Sequence, residues 1–329
     1  MSTSRLVGLV VLALGPLIAP YAGAGGQTPG NVHRVGIIHL SGHHHVVVDG
    51  LRQGLRELGL EEGKHIVLDI RDTKGDLNTV GEAARDLERR KVDLIYTVTS
   101  TVTTAAKRAT VQTPIVFYAG TDPVAAELVA SFAKPGGRLT GVHGFSRDLT
   151  AKRLEILKEM IPRLGRVVTF YNPGDAGSRE NARLGREAAR QLGVQFVERH
   201  VGSIEELRLG LQGLKSREVD AYFHTPGGAM VTSQALLIID AARVKRLPTM
   251  FHETSLVVHG ALAGYGQNYY EIGRMSAKYV QRILAGTHPK DLPVENYDRI
   301  ELALNLRTAR ELGLTIPPSV RIRTDKVIE

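Results

Sequence analysis

Arg34-Val-Gly-Ile-Ile-His-Leu40, followed by Asp49-Gly-Leu-Arg-Gln-Gly-Leu-Arg-Glu-Leu-Gly59, sets the reading of the whole chain. The first run has the Val and Ile content of a strand, and the second places Leu51, Leu55 and Leu58 on one helical face before stopping at a glycine. A strand feeding an amphipathic helix opens a βαβ unit, and the same grammar repeats downstream. Strands are expected at 66–70, 92–98, 115–118 and 138–145, with Asp76 capping the helix between the second and third. A further helix is expected to open at Asp122-Pro123 and end before Pro135-Gly136-Gly137.

The pattern then restarts. A helix at 148–160, a strand at 167–171, an Asn172-Pro173-Gly174 turn and a helix at 179–192 begin a second α/β half. It continues with a strand at 194–199, a helix whose Ser203 and Glu206 form a capping box, and a strand at 221–224. Next come a helix at 230–244, a strand at 249–252, an extended Gly-rich passage at 260–267, and a helix carrying Ile272, Met275, Tyr279 and Ile283. A last strand at 299–306 and a helix at 307–312 precede Ile316-Pro317-Pro318, where regular structure is expected to end. The fold class is α/β, with two doubly wound, parallel-sheet halves.

Ahead of this lies Arg5, an apolar run at 6–19 and then Ala22-Gly23-Ala24. A positive start, a short apolar stretch and small residues at a cleavage point make a secretory signal peptide over 1–24. The run is interrupted by Gly15 and Pro16, with Pro20 just beyond, and is shorter than a membrane span needs. The chain has no cysteine, which removes disulfides, thiolate metal sites, a cysteine nucleophile and lipid attachment through an N-terminal cysteine. These features imply a freely soluble protein of the periplasm. The net charge of +8 is spread along amphipathic helices without interleaved aromatics, and Trp is absent, so a solvated surface is expected and no nucleic-acid partner.

Ligands of parallel sheets bind beyond the carboxyl ends of the strands. The residues found there are Ser41, Gly42 and His43; Thr97, Thr99 and Ser100; Thr121 and Asp122; Asn172, Thr225, His252 and Glu253. Most offer neutral hydrogen bonds, and several precede helices whose amides favour an anionic group. Asp122 is the candidate counter-charge for a ligand ammonium, and equally a helix cap before Pro123. Tyr118, Tyr171 and Tyr265 are candidates to stack on a ligand ring, or are core residues. No Walker-type loop, Gly-x-Ser-x-Gly, His-Glu-x-x-His or dinucleotide fingerprint occurs, so no enzymatic activity, catalytic residue or cofactor is expected. His43, His44 and His45, with His39, His252 or Glu253, are the one candidate metal cluster, but adjacent histidines point apart and at most two reach one ion. They read instead as polar loop residues or direct ligand contacts, and no metal site is assigned.

Family markers now accumulate. Gln53-Gly-Leu-Arg-Glu-Leu-Gly59 with Glu62-Gly-Lys64, Ile115-Val-Phe with Asp122-Pro123, and Ala133-Lys-Pro-Gly-Gly137 before Leu139-Thr-Gly141 resemble the ABC-transporter substrate-binding protein family that includes tryptophan and tyrosine binders. Lys152-Arg-Leu-Glu155, Tyr171-Asn-Pro173, Leu292-Pro-Val-Glu295, Asn305-Leu306 and Leu312-Gly-Leu-Thr-Ile-Pro-Pro318 continue the resemblance in the family's order. It implies a type I periplasmic-binding-protein fold, with two lobes joined by three crossovers closing on a small solute. The N-lobe would be 31–143 plus 267–290 and the C-lobe 144–266 plus 291–329, with a hinge at 264–267. The resemblance puts the solute against the strand ends after Leu40, Val98, Ala119, Tyr171 and His224, and near the hinge, where Gln267 replaces the family's usual proline. The function so implied is the periplasmic solute receptor of an ABC importer, a monomer that binds an amino acid or aromatic acid and presents it to an inner-membrane permease. The alternatives are a secreted α/β enzyme with a His-based metal site and a ligand-sensing module for a membrane receptor. A related transcriptional regulator is disfavoured because an export signal stands where a helix-turn-helix would be.

Overall fold

Two sheets, each covered by helices on both faces, account for the chain from Val32 to Glu329. The computed structural model describes residues 32–40, 44–144, 149–215, 218–226 and 229–329, so the expected signal peptide lies outside the described residues. The first half runs β1 (His33–His39), α1 (His45–Glu57), β2 (Ile66–Asp72), α2 (Asn78–Arg89), β3 (Leu94–Val98), α3 (Ser100–Ala109), β4 (Ile115–Ala119) and β5 (Leu139–His143). The second runs α4 (Thr150–Met160), β6 (Arg166–Tyr171), α5 (Ala176–Gln191), β7 (Gln195–His200), α6 (Ile204–Gly213), β8 (Ala221–Phe223), α7 (Ala229–Thr232), α8 (Ala235–Val244), β9 (Thr249–Glu253) and β10 (Ala263–Gln267). The chain closes with α9 (Tyr269–Leu284), β11 (Glu295–Asn296), β12 (Glu301–Asn305), α10 (Leu306–Leu312), α11 (Pro318–Ile322) and β13 (Lys326–Ile328).

The first sheet has the order β11-β5-β4-β3-β1-β2 and is parallel throughout. The second has the order β13-β12-β10-β9-β8-β6-β7, with β10 and β12 its one antiparallel pair. Because helices cover both faces, β3, β4 and β5 are buried along their whole length, and β3 and β4 read as mostly apolar runs. The chain passes between the sheets after β5, between β10 and α9, and between β11 and β12. These are the three crossovers of the expected architecture.

Helices α1 and α9 pack unusually closely. A Cβ added to Gly50 would lie 1.9 Å from the Tyr270 carbonyl oxygen, one on Gly54 would lie 2.4 Å from that of Arg274, and one on Gly273 would lie 1.9 Å from that of Val47. Only glycine lets the two backbones touch. The contact buries Val47, Leu51 and Leu55 of α1 with Ile272, Ala277 and Val280 of α9 in the core beneath the first sheet.

Several local expectations are corrected. No helix forms between Asp122 and Pro135. One turn begins there, with the Ala126 and Leu128 amides donating to the Asp122 and Pro123 carbonyls, but Glu127 takes a positive φ of 54° and ends it. The helix expected at 230–244 is broken into α7 and α8, where the Ser233 hydroxyl donates to the Met230 carbonyl. Regular structure also continues past Pro317, because Pro318 sits in the first turn of α11, where it lacks no needed donor. Residues 292–297, placed by the sequence with the second lobe, join the first: β11 pairs with β5, and Leu292 and Tyr297 enter the core shared by α1 and α9.

Candidate functional site

The carboxyl ends of the two sheets border one cleft of about 530 Å³, within the size range of small-molecule sites. From the first sheet it is lined by Leu40 and His44 after β1, Thr99, Ser100 and Thr101 after β3, Tyr118, Gly120 and Thr121 at the end of β4, and Gly144 after β5. From the second it receives Asp175, Gly177 and Asn181 near the start of α5, Pro226 after β8, Thr232 of α7 and His252 of β9. Gly266 and Gln267 of β10 and Tyr269 of α9 complete the lining where the chain crosses.

Thr99 shapes the first wall. It caps α3 with φ 88° and ψ 151°, a conformation open essentially to glycine alone. Its backbone is pinned there, its amide donating to the Tyr118 carbonyl at 2.9 Å and its carbonyl accepting from the Thr103 amide and, at 2.7 Å, the Thr103 hydroxyl. The Thr99 hydroxyl accepts from the Val102 amide at 3.4 Å. Beside it the hydroxyls of Ser100 and Thr121 lie 2.8 Å apart, and the Thr121 amide donates to Ser100 Oγ at 3.2 Å. This hydroxyl and amide cluster at the start of a helix suits an anionic ligand group.

Gln267 ties the walls together. Its Oε1 accepts from the Tyr118 hydroxyl at 3.0 Å and its Nε2 donates to the Tyr297 carbonyl at 2.9 Å. A Cβ on Gly144 would fall 2.3 Å from Gln267 Nε2, so glycine there leaves room for the amide. Burial pushes the Tyr118 hydroxyl well above the usual phenol range, and its ring lies 5.6 Å from that of Tyr269. Two aromatic faces therefore meet at the crossing.

On the second wall Asp175 caps α5, accepting from the Ser178 amide at 2.6 Å. A carboxylate is favoured at that helix end. The His252 ring stacks on His224 at 4.9 Å between centroids. His224 lies behind it, fully buried, with Nδ1 2.8 Å from the Tyr222 hydroxyl. Burial, aided by the Arg153 charge, pushes its imidazole down to about 3, so the ring is neutral.

Of the residues singled out from sequence, Thr99, Ser100, Thr121, His252 and Gln267 line the cleft, while Ser41, Gly42 and His43 lie outside the described residues. The others are placed elsewhere. Thr97 is buried with its hydroxyl 2.9 Å from that of Thr103, and Thr225 likewise pairs with Thr169 at 2.9 Å. Asp122 Oδ1 accepts from the Val124 and Ala125 amides, and Asn172 Oδ1 accepts from the Gly174 amide, so both serve turns. Glu253 is fully buried, with desolvation holding its carboxyl well above the usual range, and Tyr265 packs on the core of the second sheet. Among the tyrosines proposed for stacking, Tyr171 gives its hydroxyl to Glu198 instead. Asp175, Asn181 and Tyr269, on or at the start of helices, also line the cleft without a signal taken from the sequence, and His44, expected as a loop residue or ligand contact, lines it too. Asp175 had a visible signal, as an acidic cap directly after Asn172-Pro173-Gly174.

The family described as ABC transporter substrate binding protein matches residues 35–328. A tyrosine-binding protein of Clostridioides difficile (strain R20291) is 27% identical over 266 residues, covering 80% of this chain and 76% of that protein. A conserved domain protein of Vibrio cholerae is 30% identical with a TM-score of 0.74, covering 90% of this chain and 99% of that one. An ABC domain from Streptococcus pneumonia, solved in complex with L-Trp, shares the fold at 24% identity and a TM-score of 0.73, covering 90% of this chain and 100% of that one.

Proposed function

This chain belongs to the ABC transporter substrate-binding protein family, and on that premise we propose that it is the periplasmic receptor of an ABC importer for one small zwitterionic solute of the amino acid or aromatic acid class. Members of this family bind solutes and are not enzymes. The observation that carries the solute class is the distribution of chemistry around a single cleft. Ser100, Thr121 and the start of α3 would receive a carboxylate, Asp175 an ammonium, and the paired rings of Tyr118 and Tyr269 an apolar or aromatic side chain. The tyrosine-binding relative supports the same class.

In this reading the two sheets anchor two lobes that close on the solute, with residues 292–297 travelling with the first lobe. Gly264, Gly266 and Gln267, where the β9–β10 register shifts, absorb the hinge motion. Closure is driven only by the difference in solute affinity between closed and open forms. The protein is exported by residues 1–24, has no cysteine for a lipid anchor, and meets an inner-membrane permease as a free monomer.

The test is a thermal-shift series on protein first unfolded and refolded to strip any bound solute. At a hundredfold excess over Kd, a native-state ligand adds about 2.7 kcal/mol to stability. Tyrosine, tryptophan or a related zwitterion should raise the midpoint, and the corresponding amines and amides should not. If no amino or aromatic acid moves it, the assignment of solute class is wrong.

A further inference from the structure

The register of β1 on β2 places His39 directly opposite Asp72, with both side chains at the carboxyl ends of neighbouring strands. His45, the first residue of α1, closes the group from above: its Nε2 is 3.7 Å from Asp72 Oδ2, and its ring meets that of His39 edge-on at 4.5 Å. One ligating atom from each of the three residues lies within 4.8 Å of the others. We propose that His39, His45 and Asp72 form a site for a divalent transition cation of the Zn²⁺, Ni²⁺ or Cu²⁺ type, beside the solute cleft.

The chemistry of the donors selects the ion. Two imidazoles and one carboxylate suit borderline cations, whereas Ca²⁺ and Mg²⁺ prefer all-oxygen sets and Cu⁺ prefers sulfur. Around a tetrahedral Zn²⁺, with bonds of about 2.0–2.1 Å, donor atoms stand about 3.3 Å apart. The His45–Asp72 pair is already near that spacing, and both side chains are accessible, at 55% and 31% exposure, so they can close on an ion. The support around the donors is in place. Asp72 Oδ1 accepts from the Lys74 amide at 2.8 Å, which leaves Oδ2 toward the imidazole, and the His39 carbonyl is held by the Thr73 amide and hydroxyl. Three protein donors leave a coordination position open, and the adjacent Leu40 and His44 line the cleft. The site differs from a plain run of histidines because its third donor comes from a different strand.

The test uses protein purified without a histidine tag, titrated calorimetrically with ZnCl₂ in a non-coordinating buffer, with Co²⁺ absorption as a second readout. One Zn²⁺ per chain at micromolar Kd or tighter is expected, with intense visible Co²⁺ bands of a four-coordinate ion. Asp72→Asn and His45→Ala change exposed side chains, so folding is retained, and circular dichroism checks it. Each should weaken Zn²⁺ at least tenfold. Absence of stoichiometric Zn²⁺ binding overturns the site, and so does Zn²⁺ binding unchanged by Asp72→Asn, because that assigns the ion to the neighbouring histidine run. Neither outcome depends on which solute the cleft takes.

Discussion

Replacing Thr99 by glycine and by alanine separates strain from side-chain chemistry at the edge of the cleft. Both variants lose the hydroxyl and its 3.4 Å contact with the Val102 amide, so that loss cancels between them. They differ in the Cβ. At φ 88° and ψ 151° a residue with a Cβ carries about 1–3 kcal/mol of strain. Glycine sheds that strain but costs about 0.5–1 kcal/mol more chain entropy than alanine. The balance makes Thr99→Gly more stable than Thr99→Ala by up to about 2.5 kcal/mol, the reverse of the order at most positions. Urea unfolding midpoints of the two variants, compared at equal m-values, measure the difference directly. An alanine variant clearly more stable than the glycine variant would refute the strain at this turn. Solute affinity should fall in both, since the hydroxyl that lines the cleft is gone.

Three further outcomes are expected. Gly273→Ala should destabilise by up to about 2 kcal/mol in chemical denaturation, because pushing the Val47 carbonyl away outweighs the roughly 1 kcal/mol gain in helix propensity; a gain in stability would sink the account of the α1–α9 contact. His224 is neutral in the fold down to about pH 3 but protonates near 6.5 when unfolded, so the unfolded state binds the extra proton between those values. Its stabilising effect is complete above pH 6.5 and falls as pH drops, by about 2 kcal/mol at pH 5, and His224→Asn should flatten that slope; an unchanged slope between pH 7 and 5 would show that His224 is not responsible. Asp175→Asn keeps the cap on α5 while removing the charge, so stability should change by less than about 0.5 kcal/mol. Titration calorimetry should nevertheless show at least tenfold weaker binding of a zwitterionic solute, and equal affinity would remove Asp175 from the ammonium site.

The α/β grammar was legible because each sheet is covered on both faces, so that buried strands such as β3 and β4 are dominated by apolar residues. Local signals failed where one residue overrode them. Asp122-Pro123 reads as a helix start, yet Glu127 at positive φ stops the chain after a turn. Pro317-Pro318 reads as an ending, yet the second proline opens α11. Of the strand-end residues expected at the site, Thr99, Ser100 and Thr121 line the cleft. Asp175 and Asn181 escaped because they reach the cleft from a helix of the opposite wall, a matter of how the sheets face each other, and Tyr269 because it enters from α9 where the chain crosses. The pairing of His39 with Asp72 depends on strand register, and nothing within either local segment marks it.

The threefold passage of the chain between the sheets has a consequence for how the molecule can be divided. The first sheet is not finished until β11 at Glu295–Asn296, and the second waits for β12 and β13 at the far end of the chain. No single cut releases two intact halves. A chain ending at residue 300 would strip two of seven strands from the second sheet and leave β10 as a raw edge open to pairing with another molecule. Both bodies must therefore be completed almost together, late, by neighbouring strands near the end of the chain, and a nick or truncation near the carboxyl end should surface as aggregation before it surfaces as weaker binding.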